Sequence, residues 1–193
     1  MARHPPKKRP AGAAGRLAAL TSPVRIELIG ALQTHGPSSI RELAARMDRP
    51  AAGLYHHVGL LLRAGVLVEV ERRKVGRRVE AVYALTARRV VGGMSPSSPA
   101  GREGVTRAAA AALRLATREF AAAVASGEAS CAGDAPRLRA SRQKAWLTDG
   151  AVAELAELMG RVEQLLSRHT DRREGRLYAL TTVLTPLTER RRP

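Results

Sequence analysis

The feature that most constrains the fold is a closely spaced series of helix start and stop signals in the first third of the chain. Ser22 followed by Pro23 is typical of an N-cap and a first helical residue, because the N–H that proline lacks is free at that position anyway. Gly36 ends this helix. The sequence SIRE at residues 39–42 is a capping-box pattern, in which the Ser and Glu side chains bind each other's free backbone N–H groups. These signals predict a helix followed at once by a short second helix.

A third helix follows after a tight turn. The turn is DRP at residues 48–50, and the helix is predicted at residues 50–64, before Gly65 as a left-handed C-cap. Apolar residues at helical spacing predict that all three helices share one core. The predicted core residues are Val24, Leu28, Ile29 and Leu32, then Ile40, Leu43, Ala44 and Met47, then Leu54, Val58, Leu61 and Leu62.

Two β segments come next, at residues 66–71 and 79–85, where apolar and polar residues alternate. The glycine-containing turn between them predicts a hairpin. Five positive charges within residues 72–78 favour a polyanionic partner, and the alternative is a solvated hairpin tip.

Composition agrees with a basic, helix-rich protein. The 193 residues include 33 Lys and Arg against 17 Asp and Glu, and residues 1–89 hold 17 of the basic and 6 of the acidic side chains. Aromatic residues make up 3%, so the core must be built from Ala, Leu and Val, which suits close-packed helices. No apolar run reaches the length of a membrane span, and we expect a soluble, cytoplasmic protein without a membrane partner.

Several motifs in this region occur in the order found in one known family. They are LTSPVRIEL at residues 20–28, SIRELA at 39–44, LYHHV at 54–58, LLRAGVL at 61–67, GRRV at 76–79 and YAL at 83–85. Together they resemble the ArsR-type winged helix-turn-helix regulators. The resemblance covers roughly residues 17–87 and implies a DNA-binding domain in which a recognition helix is followed by a β wing.

The predicted DNA contacts follow from this resemblance and from the geometry of the grooves. The major groove admits one helix, whose N-terminal half meets the base edges. The recognition helix is therefore expected at residues 50–64, with Ala51 and Ala52 packed on thymine methyl groups. The wing, residues 71–80, is expected on the backbone or in a minor groove. The predicted DNA-binding residues are Ser39, Arg49, Ala51, Ala52, Tyr55, His56, Arg72, Arg73, Lys74, Arg77 and Arg78.

Individual roles are less uniform along the recognition helix. Arg49 is the strongest candidate for a guanine or phosphate contact. Tyr55 and His56 diverge by roughly 100° around the helix, so one is expected on a base edge and the other on a phosphate. Tyr55 could instead pack at the helix surface. His57 is expected to be a partly buried structural residue rather than a DNA contact.

Metal, redox and catalytic sites are not expected. Many regulators of the ArsR type sense metals through cysteines in the first helix of the helix-turn-helix motif. Here that helix reads RELAA at residues 41–45, without cysteine. The single cysteine, Cys131, excludes an intramolecular disulfide, and because no basic residue is adjacent it is interpreted as a loop thiol rather than a redox switch. No nucleophile–base set and no nucleotide-binding motif occurs, so we expect no cofactor, no metal and no enzyme activity.

The second half of the chain is predicted to mediate pairing. A long Ala-rich helix at residues 105–124 carries a seam that fits a homodimer interface, although a helix in an intramolecular core has the same pattern. Two strands, at residues 138–147 and 176–187, are predicted to flank a helix at 148–167. The predicted dimer residues are Val105, Ala109, Ala112, Ala116 and Phe120, and a pocket for an unknown small-molecule effector is hypothesised at Trp146, Leu155 and Tyr178.

The sequence therefore predicts a mainly α protein with a small β wing, an α+β fold. The predicted domains are a disordered basic arm (1–15), a winged helix-turn-helix domain (16–89), a linker (90–104), a C-terminal dimerisation and effector region of helix and strand (105–187) and a basic tail (188–193). The predicted function is a homodimeric, sequence-specific transcription regulator, a repressor, that binds double-stranded operator DNA. The alternatives are a non-specific nucleoid-type or RNA-binding basic protein, and an adaptor whose C-terminal half recruits a protein.

Overall fold

The computed structural model describes residues 13–87, 98–127, 138–170 and 175–187. Cys131, residues 1–12 of the predicted arm, residues 90–97 of the predicted linker and the tail at 188–193 lie outside the described residues. The described elements are α1 (Ala13–Ala19), α2 (Pro23–His35), β1 (Ser38–Ser39), α3 (Ile40–Arg46), α4 (Ala51–Arg63), β2 (Leu67–Val75), β3 (Arg78–Leu85), α5 (Pro99–Ala125) and α6 (Asp149–His169).

The helices α2, α3 and α4 form one core, as their spacing predicts. The capping box at the start of α3 is present, since Ser39 Oγ accepts from the Glu42 N–H at 3.3 Å and Glu42 Oε2 accepts from the Ser39 N–H at 2.7 Å. Gly36 and Gly65 both have positive φ, which ends α2 and α4 where predicted. The core residues of the three helices are Leu28, Ile29, Leu32, Ile40, Leu43, Ala44, Met47, Leu54, Val58 and Leu61.

The wing is a hairpin of β2 and β3, and β1 adds a third antiparallel strand on the other side of β3. Val75 pairs with Arg78, so the turn contains only Gly76 and Arg77. Gly76 has φ 61° and Arg77 has a negative φ, which is the requirement of a type II′ turn. An irregular register between Glu69 and Glu71 marks a bulge. The chain is thus a mainly α protein with a small antiparallel sheet, and this part of the fold prediction is confirmed.

The N-terminal helix α1 is a feature that the sequence did not predict. The predicted arm extends to residue 15, whereas the helix begins at Ala13. Leu17 and Ala19 are buried, and the Arg25 side chain donates to the carbonyl oxygens of Ala18 and Ala19. Contacts from elsewhere in the chain therefore stabilise a helix whose own sequence carries little signal.

The long helix α5 corrects the predicted linker. It begins at Pro99, and the Ser98 hydroxyl caps it by accepting from the Gly101 N–H at 3.0 Å, so residues 98–104 are not a linker. Its buried face packs against α1 and α2. A Cβ on Gly104 would lie 2.7 Å from Leu17 Cδ2, so a larger residue here would force the Leu17 side chain to move.

The C-terminal region contains a helix but neither predicted strand. Thr148 caps α6 as predicted, because its hydroxyl accepts from the Ala151 N–H. Residues 138–147 and 176–187 form no strand in the described part of the chain, so both strand predictions are wrong for the single chain. A residue composition that favours strands does not produce one unless a neighbouring strand supplies backbone hydrogen bonds.

Candidate nucleic-acid interface

One side of α4 faces away from the core, because the buried leucines and valine described above fix the rotation of the helix. Tyr55 is 61% exposed, His56 is exposed beside it, and Ala52 lies one turn earlier on the same side. Ala51 is half-buried and packs against the core instead. The structure therefore brings three of the predicted contact residues of this helix to one surface.

A cleft of about 380 Å³ lies between this surface and the wing. It joins α3, α4, β2 and β3, so it collects side chains that are distant in the sequence. Its charged and phenolic lining consists of Arg41, Tyr55, Arg72, Arg78, Glu80 and Tyr83. Three guanidinium groups face a single carboxylate in this lining, and the cleft suits an anionic group such as a backbone phosphate.

Two of the cleft arginines are oriented by carboxylates. Arg41 Nη1 lies 3.3 Å from Glu80 Oε1, and Arg72 Nε lies 2.6 Å from Glu69 Oε1. The hydrogen bond to Glu69 raises the pKa of Arg72. Burial, followed by the charge of Glu69, raises the pKa of Tyr83, so its phenol stays protonated and able to donate. Both arginine side chains are mostly exposed, and each keeps further N–H donors for a phosphate.

Of the other basic residues of the wing, one stabilises the fold and the others are exposed. Arg73 Nη2 lies 2.5 Å from Glu42 Oε1 and so ties β2 to α3. The backbone N–H at the N-cap of α3 and then Arg73 lower the pKa of Glu42, and this hydrogen bond raises the pKa of Arg73. The wing residues exposed without an ion-pair partner among the described residues are Lys74, Arg77 and Arg78.

Arg49, just before α4, is engaged inside the protein. Its Nε and Nη2 donate to Glu27 Oε2 at 3.2 and 3.1 Å, and Arg118 Nη2 of α5 donates to the same oxygen at 2.8 Å. The Arg49 side chain is 30% exposed. Its predicted contact with a base stays a prediction, and DNA would have to compete with Glu27 for part of this guanidinium group.

The predicted contact of the Ser39 side chain with DNA does not fit its position. Ser39 is 1% exposed, and its hydroxyl is the N-cap acceptor of α3. Its backbone N–H is bound by Glu42. Ser39 lines the cleft, but its hydroxyl and its N–H already have partners, so its predicted contact with DNA stays a prediction and would have to compete with the cap of α3.

His57 is partly buried, as predicted. Its Nδ1 is buried and has no hydrogen-bond partner within the described part of the chain. Burial, together with the charge of Arg25, lowers the pKa of His57, and its ring contacts that of His56 edge-on at 5.6 Å between centroids. His56 lies on the surface of α4, and His57 turns inward.

The predicted dimer seam lies beside the buried face of α5 and not on it. Gly104, Ala111 and Leu115 are the buried residues of α5, and Ala108 packs on the core of the winged helix. One face of α5 therefore packs in an intramolecular core, which was the alternative to a dimer interface. The predicted seam residues flank that face: Val105, Ala109, Ala112 and Ala116 are half-buried, and Phe120 is exposed.

Two of the three hypothesised effector residues are open to solvent in the described part of the chain. Trp146 is 88% exposed and Tyr178 is 53% exposed, while Leu155 is half-buried on α6. A pocket at these residues would need a second chain to close it.

Comparison with protein families gives a match for residues 20–71. A family model described as a helix-turn-helix domain matches residues 20–71, and this family includes ArsR-type regulators. A comparison with curated proteins gives no match. Residues 20–71 are a helix-turn-helix domain. Such a domain implies DNA as a partner and indicates a regulator rather than an enzyme.

Within the described ranges, no group of three or more His, Cys, Asp or Glu side chains could hold a metal ion. None of the helices in these ranges is both long enough and apolar enough to cross a membrane.

Two features of the helix-turn-helix surface were missed from the sequence. Arg41 lines the cleft, and its signal was available, since it occupies an exposed position of α3 within the capping box. The ion pair between Glu27 and Arg118 links residues 91 positions apart, and no local sequence pattern predicts it.

Proposed function

We propose that the protein is a transcription regulator of the ArsR type that binds double-stranded DNA through α4 and the β2–β3 wing. One observation carries the proposal: the cleft places Arg41, Arg72 and Arg78 beside the exposed Tyr55 of α4. Positive groups adjacent to an exposed recognition helix are what a duplex requires, because phosphates flank the groove that the helix enters.

The proposed roles follow from exposure. Ala52, Tyr55 and His56 face the base edges of the major groove, with Ala51 at its margin. Lys74 and Arg77 at the tip of the wing contact the backbone or a minor groove. Arg41, Arg72 and Arg78 clamp a phosphate in the cleft, and Arg73 supports the wing from behind. Arg49 adds a contact at the start of α4.

We propose a homodimeric repressor, because a two-fold pair presents two recognition helices about one DNA turn apart, ~34–36 Å, to a palindromic operator. The winged helix, residues 16–87, would read the DNA, and the region from residue 105 to 187 would pair the chains and could hold an effector. The partly open seam of α5 supports its contribution to the pairing.

Selection of bound duplexes from a random pool by the full chain tests this function. We expect one enriched palindromic motif, bound 10³-fold or more tightly than random duplex at physiological salt. Equal affinity for the selected and random duplexes would instead favour the nucleoid-type alternative, which the open charges of the wing also support. Tighter binding of RNA than of any duplex would overturn both.

A pair of charge-matched variants tests the cleft. Arg78→Ala should weaken binding to every duplex and make the salt dependence shallower by about one unit of log K against log [salt]. Arg114→Ala removes the same charge from an exposed position of α5 and is the control. If both variants lower the affinity equally, the effect comes from net charge and the cleft has no specific role.

A further inference from the structure

The cleft between α4 and the wing has room for more than the phosphate group of a DNA backbone. Its volume of about 380 Å³ falls within the range of roughly 300–1,000 Å³ that is typical of pockets for small organic ligands. A phosphate bound to the arginines would occupy only the charged part of this space. The rest of the cleft is therefore available to a second kind of occupant.

Part of the cleft lining is apolar. Its aliphatic and aromatic members are Ile40, Tyr55, Val79, Ala81 and Tyr83. Val79, Ala81 and Tyr83 alternate along β3, so their side chains lie on one face of the sheet. Val79 is 67% exposed and Tyr55 is also exposed, so the core of the protein does not fill this surface. A flat apolar molecule in the cleft would remove these groups from water, which favours its binding.

The charges of the cleft leave one guanidinium group to be balanced. Glu80 pairs with Arg41, and Glu69, outside the lining, pairs with Arg72. Arg78 has no ion-pair partner among the described residues. A ligand with one negative charge balances Arg78, whereas each further negative charge would meet the carboxylate of Glu80, which is only 14% exposed. The charge pattern therefore favours a monoanion over a polyphosphate.

Two phenols lie beside this charge. Burial raises the pKa of Tyr83, and the charges of Glu69 and of an ionised Tyr55 raise it further, so the two phenols lie within electrostatic reach of each other. A phenol that stays protonated donates its O–H to a carboxylate, and hydrogen bonds to a charged acceptor are among the stronger ones in proteins. Tyr83 therefore adds an uncharged donor for the same anionic group.

We propose that the cleft binds a small organic anion, a flat apolar molecule with one carboxylate group, and that this ligand and DNA exclude each other. The carboxylate takes the place of the DNA phosphate at Arg78, and the apolar body covers Tyr55 and Val79. Because Tyr55 is one of the residues proposed to face the bases, an occupied cleft cannot receive the duplex. The ligand is therefore an inducer that releases the protein from DNA. The exclusion of DNA rests on the proposed function, whereas the binding of the anion does not.

Calorimetric titration of the full chain with cinnamate, without DNA, tests the site. Cinnamate has a flat apolar body and one carboxylate, and a ligand of this size in such a cleft should bind with a dissociation constant of about 1 mM or lower. Cinnamamide lacks the charge and acetate lacks the apolar body, so each should bind about 10-fold more weakly or worse. Equal affinity for cinnamate and cinnamamide, or no saturable binding of cinnamate, would overturn the proposal.

Two pairs of variants locate the bound anion. Ala81→Leu fills the apolar part of the cleft and keeps all of its charges, and Ala122→Leu adds the same side chain at an exposed position of α5. Arg78→Ala and Arg114→Ala form the corresponding pair for charge. We expect each cleft variant to raise the dissociation constant of cinnamate about 10-fold or more and each control to leave it unchanged. If a cleft variant and its control bind cinnamate equally, the anion binds elsewhere and the proposal is refuted.

Nuclear magnetic resonance of the unaltered chain gives the same localisation if a variant fails to fold. The methyl resonances of Ile40, Val79 and Ala81 should shift as cinnamate is added. Those of Val124, an exposed apolar residue of α5 outside the cleft, should not. Shifts confined to exposed apolar residues outside the cleft would show adventitious binding and overturn the proposal.

Competition with DNA is measured separately. At about ten times its own dissociation constant, cinnamate should weaken the apparent affinity for the duplex about 10-fold, because only the free protein binds DNA. Acetate at the same concentration controls for ionic strength and should have little effect. If cinnamate binds in the cleft and leaves the affinity for DNA unchanged, the exclusion is refuted. If the chain binds no duplex, the proposed function fails, and the titration with cinnamate still decides whether the site exists.

Discussion

Replacing Glu27 by glutamine is expected to destabilise the protein and, at the same time, to strengthen its binding to DNA of any sequence. Glu27 Oε2 accepts three hydrogen bonds, two from Arg49 and one from Arg118, at 2.8 to 3.2 Å. Glutamine keeps the shape of the side chain but removes the charge. The substitution therefore weakens both ion pairs and releases the guanidinium group of Arg49 for a phosphate.

The magnitude follows from how far each group is withdrawn from water. Exposed ion pairs contribute about 0–1 kcal/mol and hydrogen bonds to charged groups about 1.5–3 kcal/mol. The side chains of Glu27 and Arg49 are 19% and 30% exposed, so their pair falls between these limits, at about 1 kcal/mol. Arg118 is 47% exposed, and solvent reduces its contribution to about 0.5 kcal/mol. We expect a total loss of about 1–2 kcal/mol.

Urea unfolding measures this loss, with Glu103→Gln as the matched control. Glu103 pairs with Arg107 at 3.6 Å, and both side chains are mostly exposed, so this substitution should cost less than about 0.5 kcal/mol. Filter binding to random duplex at several salt concentrations measures the second effect. If Glu27→Gln unfolds at the same urea concentration as Glu103→Gln, the shared carboxylate does not stabilise the fold and the reasoning fails.

Three further predictions concern single residues. Ser39→Ala should cost about 1 kcal/mol of stability because the N-cap of α3 is lost, while the folded protein keeps its affinity for DNA. Ser39→Thr should retain most of the stability. If folded Ser39→Ala binds DNA more weakly, the Ser39 side chain does contact DNA. Gly104→Ala should lower the melting temperature because the new Cβ would meet Leu17. Gly30→Ala should raise the melting temperature, because a Cβ at this position of α2 has no atom within 4 Å and alanine favours helix. Equal shifts in the two variants would contradict the close packing of α5 on α1. Burial lowers the pKa of His57 in the fold, so the unfolded chain binds this proton first and stability should fall as the pH drops below about 6.5. His57→Gln should remove that part of the pH dependence in urea titrations, His56→Gln should not, and an unchanged pH profile of His57→Gln would be contrary to this account.

The helix-turn-helix core was predictable because its boundaries depend on local chemistry. The signals are a capping box, a proline at the first helical position and glycines with positive φ. Each acts within a few residues, so a short stretch of sequence is enough to predict it. The helix α4 was placed correctly to within one residue at each end for this reason, and its exposed face followed from its buried one.

The misplaced features all depend on distant partners. Leu17 of α1 is buried against a glycine 87 positions later, and Arg49 is held by Glu27, 22 positions before it, which also binds Arg118 of α5. The segments at 138–147 and 176–187 have the composition of strands, but the described residues of one chain provide no edge for them. Local periodicity cannot reveal whether a distant partner exists.

The helix α5 bears on the proposed DNA surface through its position beside the winged helix rather than through its predicted dimer seam. α5 packs on α1 and α2 through its buried face, and Arg118 reaches Glu27, the carboxylate that also holds Arg49 at the entrance to α4. A change in the angle of α5 would therefore alter the hold of Glu27 on a residue next to the proposed DNA surface. Arg118→Ala removes this link, and we expect it to change the affinity for DNA without removing any residue of the proposed DNA surface.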